Sequence, residues 1–143
     1  MKEFRVRIHR RPEHSPSAAA WSSGGNTYAA IPIAPDSLTA PLPLTFEAAA
    51  AALEALPEFY FEPDGSFLLV GRSAEGPWEL CGTLIDRGPW LDHLEVIGRS
   101  PAAVFAKLLA ALGVDAELLV IGLVQEAVFL APEEFLRYLE EPG

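Results

Sequence analysis

The stretch Gly76-Pro77-Trp78-Glu79-Leu80-Cys81-Gly82-Thr83-Leu84-Ile85-Asp86-Arg87-Gly88-Pro89-Trp90-Leu91-Asp92-His93-Leu94-Glu95-Val96-Ile97 decides the fold. The triplet Gly-Pro-Trp opens it twice, 12 residues apart, and each copy leads into an apolar run, Trp78 to Ile85 and Trp90 to Ile97. Runs of this length joined through Asp86-Arg87-Gly88 read as consecutive antiparallel strands with a turn between them. Two copies at so short a spacing do not make a solenoid. The pair is half of a meander.

Upstream, Phe59-Tyr60-Phe61 and Phe67-Leu68-Leu69-Val70 flank Glu62-Pro63-Asp64-Gly65. Proline presets one turn torsion and glycine takes the positive one, so a second hairpin is expected there. Thr45 is expected to cap a helix carrying Phe46, Ala49, Leu53 and Leu56 on one face, with Glu47 near its positive end, stopped by Pro57. Downstream, Ser100 is expected to cap a helix with Pro101 at its first position. Val104, Phe105, Leu108, Leu109 and Leu112 form its stripe, and Gly113 ends it. Residues 117–131 hold short apolar runs, and the stiff Val120, Ile121, Val124 and Val128 with Phe129 favour two strands over a helix. A last amphipathic helix starts at Pro132, with Glu133 and Glu134 in its first turn.

At the amino end, Phe4, Val6 and Ile8 alternate with Arg5, Arg7 and His9, the period of a strand with one buried face. Residues 12–43 differ: Pro12, Pro16, Pro32, Pro35, Pro41 and Pro43 remove backbone donors, and Ser22-Ser23-Gly24-Gly25-Asn26 loosens the chain. This segment is expected to be chiefly an irregular loop, with one short strand at Thr27 to Ile33 kept to an edge by Pro32. Strands joined as hairpins without crossover helices imply a largely antiparallel sheet, packed by about three helices on one face. The expectation is a single α+β domain over residues 1–143. In element order alone (helix, three or four strands, helix, two strands, helix) this small acidic chain is similar to the bacterial secretion chaperones. No motif carries that likeness, the 44-residue start departs from it, and such analogy does not fix function.

Half of the 143 residues are hydrophobic and only 21% are charged, which excludes an intrinsically disordered chain. Lys2, Arg5, Arg7, Arg10 and Arg11 precede position 12, opposed only by Glu3. Subtracting them from the totals of 10 basic and 20 acidic leaves 5 and 19, a balance of -14 over residues 12–143. A surface so negative repels a phosphate backbone, which argues against nucleic acid, and steers basic partners inward. The basic face of Arg5, Arg7 and His9 has no interleaved aromatic residue, and cross-strand pairing with Glu79 or Glu95 is its economical use. The longest apolar run, Leu118 to Val124, falls short of the roughly 20 residues of a membrane span. The start alternates instead of forming a basic-then-apolar leader, and one cysteine cannot form an internal disulfide, so a cytoplasmic location is expected.

Motifs of phosphate-loop, dinucleotide-binding, nucleophile-elbow and zinc-protease chemistry are absent, and no cofactor or metal set is implied. The polar constellation of the chain is Asp92-His93-Leu94-Glu95, preceded by Asp86. On a strand, His93 and Glu95 project to one face, so a carboxylate can orient the imidazole as a general base. His9 and His14 join only if the amino end folds over that face. Cys81 is expected to be a small packed residue, and Trp78 and Trp90 to lie under a helix stripe. Trp21, outside any periodic segment, either pins its loop or meets a partner.

Two functional expectations result. The first is a protein-binding module, of adaptor, chaperone or inhibitor type, that docks a basic or partly unfolded protein through Trp21, Glu79 and Glu95. Its contact surfaces are a sheet edge, an acidic face or the 12–43 segment. The second is a small-ligand protein or minor hydrolase using His93 with Glu95 and Asp86. Self-association through an exposed edge of residues 118–130 is compatible with either.

Overall fold

The alternation of Phe4, Val6 and Ile8 with charged residues makes β1 (Glu3–Arg10) the middle strand of the sheet, its three apolar side chains buried on one side. The computed structural model describes residues 1–142. Around β1 stand β2 (Ala19–Ser23), β3 (Asn26–Ala30), β4 (Phe59–Phe61), β5 (Ser66–Ser73), β6 (Gly76–Arg87), β7 (Trp90–Arg99), β8 (Leu119–Leu123) and β9 (Val128–Leu130). Their order is β2-β3-β9-β8-β1-β7-β6-β5-β4, with every pairing antiparallel. The helices are α1 (Phe46–Glu54), α2 (Ala102–Leu112) and α3 (Pro132–Leu139). This is the expected α+β fold, with both hairpins and both strands of residues 117–131 in place.

The three helices cover one face. α1 lies over β4, β6 and β7, α3 over β3, β8 and β9, and α2 touches both helices. Phe4 of β1, Phe105 of α2 and Phe135 of α3 meet edge to face, with ring centroids 4.8–5.6 Å apart. Such geometry sets the electropositive ring edge against the π face, adding to the burial of all three rings. Thr45 caps α1 by accepting the Ala48 N–H at 3.0 Å, and Gly113 closes α2 in the left-handed conformation.

Several local expectations need correction. Ser100 does not cap α2: Pro101 is extended (φ -60°, ψ 152°), so the helix starts one residue later, and Ser100 Oγ donates to the Pro101 carbonyl instead. Cys81 is exposed rather than packed, because β6 turns Leu80, Gly82 and Leu84 inward and Cys81 onto the face no helix covers. Trp78 is partly buried against the core, but Trp90 is 46% exposed, at the start of β7 where its backbone bridges Thr45. Residues 119–123 and 128–130 are interior strands, so the free edges belong to β2 and β4. Residues 12–43 contain a full hairpin, β2–β3, where a single short strand was expected. Gly24 and Gly25 both take positive φ (56° and 81°), the two-residue turn whose twist matches the strands it joins.

No helix among the described residues is long and apolar enough to cross a membrane. The face opposite the helices is open over β4–β7, where Tyr60 (56% exposed) and Ile97 (49%) stand, and closed over β8, where Val120, in register with His9, is fully buried.

Candidate functional site

His93 lies on the open face of β7, held between two carboxylates. Its Nδ1 is 2.7 Å from Asp92 Oδ2 and its Nε2 is 3.8 Å from Glu95 Oε1. Arg7, opposite Glu95 in the β1–β7 register, approaches Glu95 Oε1 with its Nε at 3.2 Å, the cross-strand pairing expected of the basic strand. Arg87 Nη2 stands 2.5 Å from Asp92 Oδ1, close enough for charge pairing but without an aligned hydrogen bond to that buried oxygen. His9, the next open-face residue of β1, stacks on His93 with centroids 4.7 Å apart and planes inclined by 26°. Burial, followed by the neighbouring His93 and against the pull of Asp92, lowers the His9 pKa to about 4. His9 therefore joins the cluster through the sheet itself.

Asp86 is not part of this cluster. It lines a separate hollow with Thr45, Phe46, Glu47, Asp64 and Pro89. Its place beside His93 is taken by Asp92, for a reason simple alternation conceals. The β6–β7 register shifts between Ile85 and Asp86, so β7 carries an extra residue there and Asp92 turns toward His93. The Asp92–His93 pair has the geometry of an oriented imidazole. Among the described residues, however, no hydroxyl or thiol hydrogen-bonds to His93 Nε2, and no group of three or more His, Cys, Asp or Glu side chains could hold a metal ion. Its chemical capacity is a charged network that ties β1, β6 and β7 together. Glu79, two rows from Glu95, is exposed on the same face, and partial desolvation, followed by the charge of Glu79, pushes the Cys81 thiol up.

Trp21 lies elsewhere, on the β2–β3 hairpin. It packs against Tyr28 and Tyr138 at centroid distances of 5.7 and 5.5 Å, pinning the hairpin to α3. The far side of β3 is closed by α3 side chains acting as a surrogate strand. Ala29 N–H donates to Glu134 Oε2 at 2.9 Å, and Arg137 Nη2 donates to the Thr27 carbonyl at 2.7 Å. The same guanidinium sits 4.3 Å above the Tyr28 ring and pairs with Glu134 at 3.0 Å. Tyr28 Oη donates to the buried Glu141 carboxylate, which Lys2 neutralises at 3.4 Å. Desolvation first, and that hydrogen bond second, push Tyr28 up to about 12.

This anchoring leaves β2 as a pinned, uncharged edge. In a two-residue hairpin the closing pair Ser23–Asn26 exchanges backbone bonds, and so do Trp21–Tyr28 and Ala19–Ala30. The N–H and C=O groups of Ala20 and Ser22 consequently point outward. Beside them, where β3 parts from β9 after the single pair Ala30–Leu130, lies a hollow of about 600 Å³ lined by Ala20, Trp21, Ile31, Ile33, Val128 and Phe129, among others. The proline content of the segment concealed this edge from sequence reasoning; the Ser-Gly-Gly-Asn turn was its one visible mark. No family model, curated protein or solved structure matches the chain.

Proposed function

We propose that the chain is a protein-binding module that accepts an extended, partly unfolded segment of another protein as a further strand against β2. The observation that carries this reading is the free β2 edge, which has none of the lysines, prolines or bulges that protect edge strands, beside an apolar hollow. Strand addition draws affinity from main-chain bonds and selectivity from pockets for alternate side chains. Ala20 and Ser22 offer the first, and the hollow offers the second. The net charge of -10 favours a segment flanked by basic residues. The cytoplasm, where the lone thiol of Cys81 stays reduced, is the compartment this reading assumes.

The test uses fluorescently labelled peptides followed by anisotropy. A short peptide alternating valine and threonine with a lysine at each end is expected to bind saturably, and more weakly as salt screens the attraction. Ala20→Pro removes one outward N–H and leaves the hairpin's internal bonds alone, so it is expected to abolish binding with an unchanged circular dichroism spectrum. Equal binding by Ala20→Pro, or equal binding of a glutamate-flanked or helical peptide, overturns the reading.

A further inference from the structure

The register of the open face arranges its side chains in rows across the strands. One row runs Arg5 (β1), Ile97 (β7), Cys81 (β6), Leu68 (β5), Tyr60 (β4). It is apolar apart from Arg5, and Ile97, Cys81 and Tyr60 are exposed. On one side runs the row Glu3, Arg99, Glu79, Val70; on the other runs Arg7, Glu95, Thr83, Ser66. Among the described residues Glu3, Glu79, Arg5 and Arg99 form no ion pair within the chain.

We propose that this face packs against the same face of a second copy of the chain, about a two-fold axis lying along the apolar row. That operation sets Ile97, Cys81, Leu68 and Tyr60 against their own counterparts and lays each flanking row over the other row of the second copy. Glu3 then faces Arg7 and Arg99 faces Glu95, so each of these charges meets its opposite. A self-complementary patch of this kind is what an isologous interface requires. Of the charged residues Arg5 alone meets its own copy, at the β1 end of the row, where its long side chain reaches water. A hollow of about 800 Å³ lined by Arg5, Val70, Glu79, Ile97 and Arg99 leaves room for the side chains of the opposing row. Five strands about 4.8 Å apart and three rows about 6.6 Å apart span roughly 480 Å² in plan, and more in accessible surface. The side chains standing on that plan raise the accessible area from there toward the roughly 800 Å² per partner of a standard interface. Stacked sheets about 10 Å apart, strands nearly aligned, are an ordinary packing.

The lone cysteine is a native probe of this arrangement, because Cys81 sits in the middle of the row. Sedimentation of the unmodified chain is expected to show a monomer–dimer equilibrium. The rate at which a thiol reagent modifies Cys81 is expected to fall about tenfold as mass action fills the dimer. Ile97→Arg places two guanidinium groups face to face and is expected to give a monomer whose Cys81 reacts at the dilute rate at every concentration. Arg99→Glu, which sets an acid against Glu95, is expected to weaken association, whereas Ala20→Pro leaves it unchanged and so separates this interface from the β2 edge. A monomer at all concentrations, a dimer whose Cys81 stays reactive, or a dimer undisturbed by Ile97→Arg overturns the proposal.

Discussion

Acid should destabilise this chain in a window set by one histidine. His9 is half-buried against His93, with Arg7, Asp92 and Glu95 around it, and its pKa in the fold is about 4 against 6.5 in a model peptide. Between those two values the unfolded chain takes up a proton that the folded chain refuses. Stability is therefore complete above pH 6.5 and is lost progressively as pH falls toward 4. At about 1.4 kcal/mol for each pH unit, the interval sets a ceiling near ~3.5 kcal/mol. Part of the ring is in water, so about 2 kcal/mol is the expected loss once solvent screening is allowed for. For a chain of this size that is a fall in Tm of about 6 °C. The assay is urea denaturation at several pH values on the natural chain and on His9→Gln, which keeps a neutral polar side chain and removes the titration. Carboxylate titrations enter both curves alike, so the difference isolates His9. Parallel curves between pH 6.5 and 4, or a His9 ring titrating near 6.5 by NMR, would refute the reasoning.

Three further outcomes follow from single contacts. Thr45→Ala removes a helix cap and should cost about 1 kcal/mol by denaturant titration, whereas Ser100→Ala, whose hydroxyl caps nothing, should cost less than half of that. Phe135→Ala opens a cavity where β1, α2 and α3 meet and should cost about 3–5 kcal/mol, read as a lowered urea midpoint at constant slope. Lys2→Met strands the buried Glu141 carboxylate beside Tyr28 and should cost roughly 3 kcal/mol; a loss below 1 kcal/mol would mean that solvent already screens that pair.

The sequence displayed whatever is periodic or locally capped. The twin Gly-Pro-Trp strands, the β4–β5 turn, the Thr45 cap and the alternation of β1 were legible because each depends on neighbours in the chain. Three things depended on register instead. The bulge that turns Asp92 toward His93 adds one residue to β7, and an alternation rule then assigns Asp92 to the wrong side. The stacking of His9 on His93 requires β1 and β7 to be neighbours, though 83 residues lie between the two in the chain. The β2–β3 hairpin holds its place through α3, more than 100 residues away, so its own proline-rich surroundings could not announce it.

Register also reverses the meaning of the amino-terminal arginines. Along the chain Arg5, Arg7, Arg10 and Arg11 form a basic cluster in an otherwise acidic protein. Across the sheet, Arg7 stands beside Glu95 and Arg99 stands between Glu3 and Glu79, with an apolar row separating the two. The face thus carries a mosaic of both signs, which offers no continuous positive strip for a phosphate backbone to follow. A mosaic with an apolar centre is matched best by a surface of inverted order, and the two-fold operation supplies one from the same chain. The helix-covered face, by contrast, spends its apolar residues internally, which leaves the β2 and β4 edges and the open face as the surfaces where association would be decided.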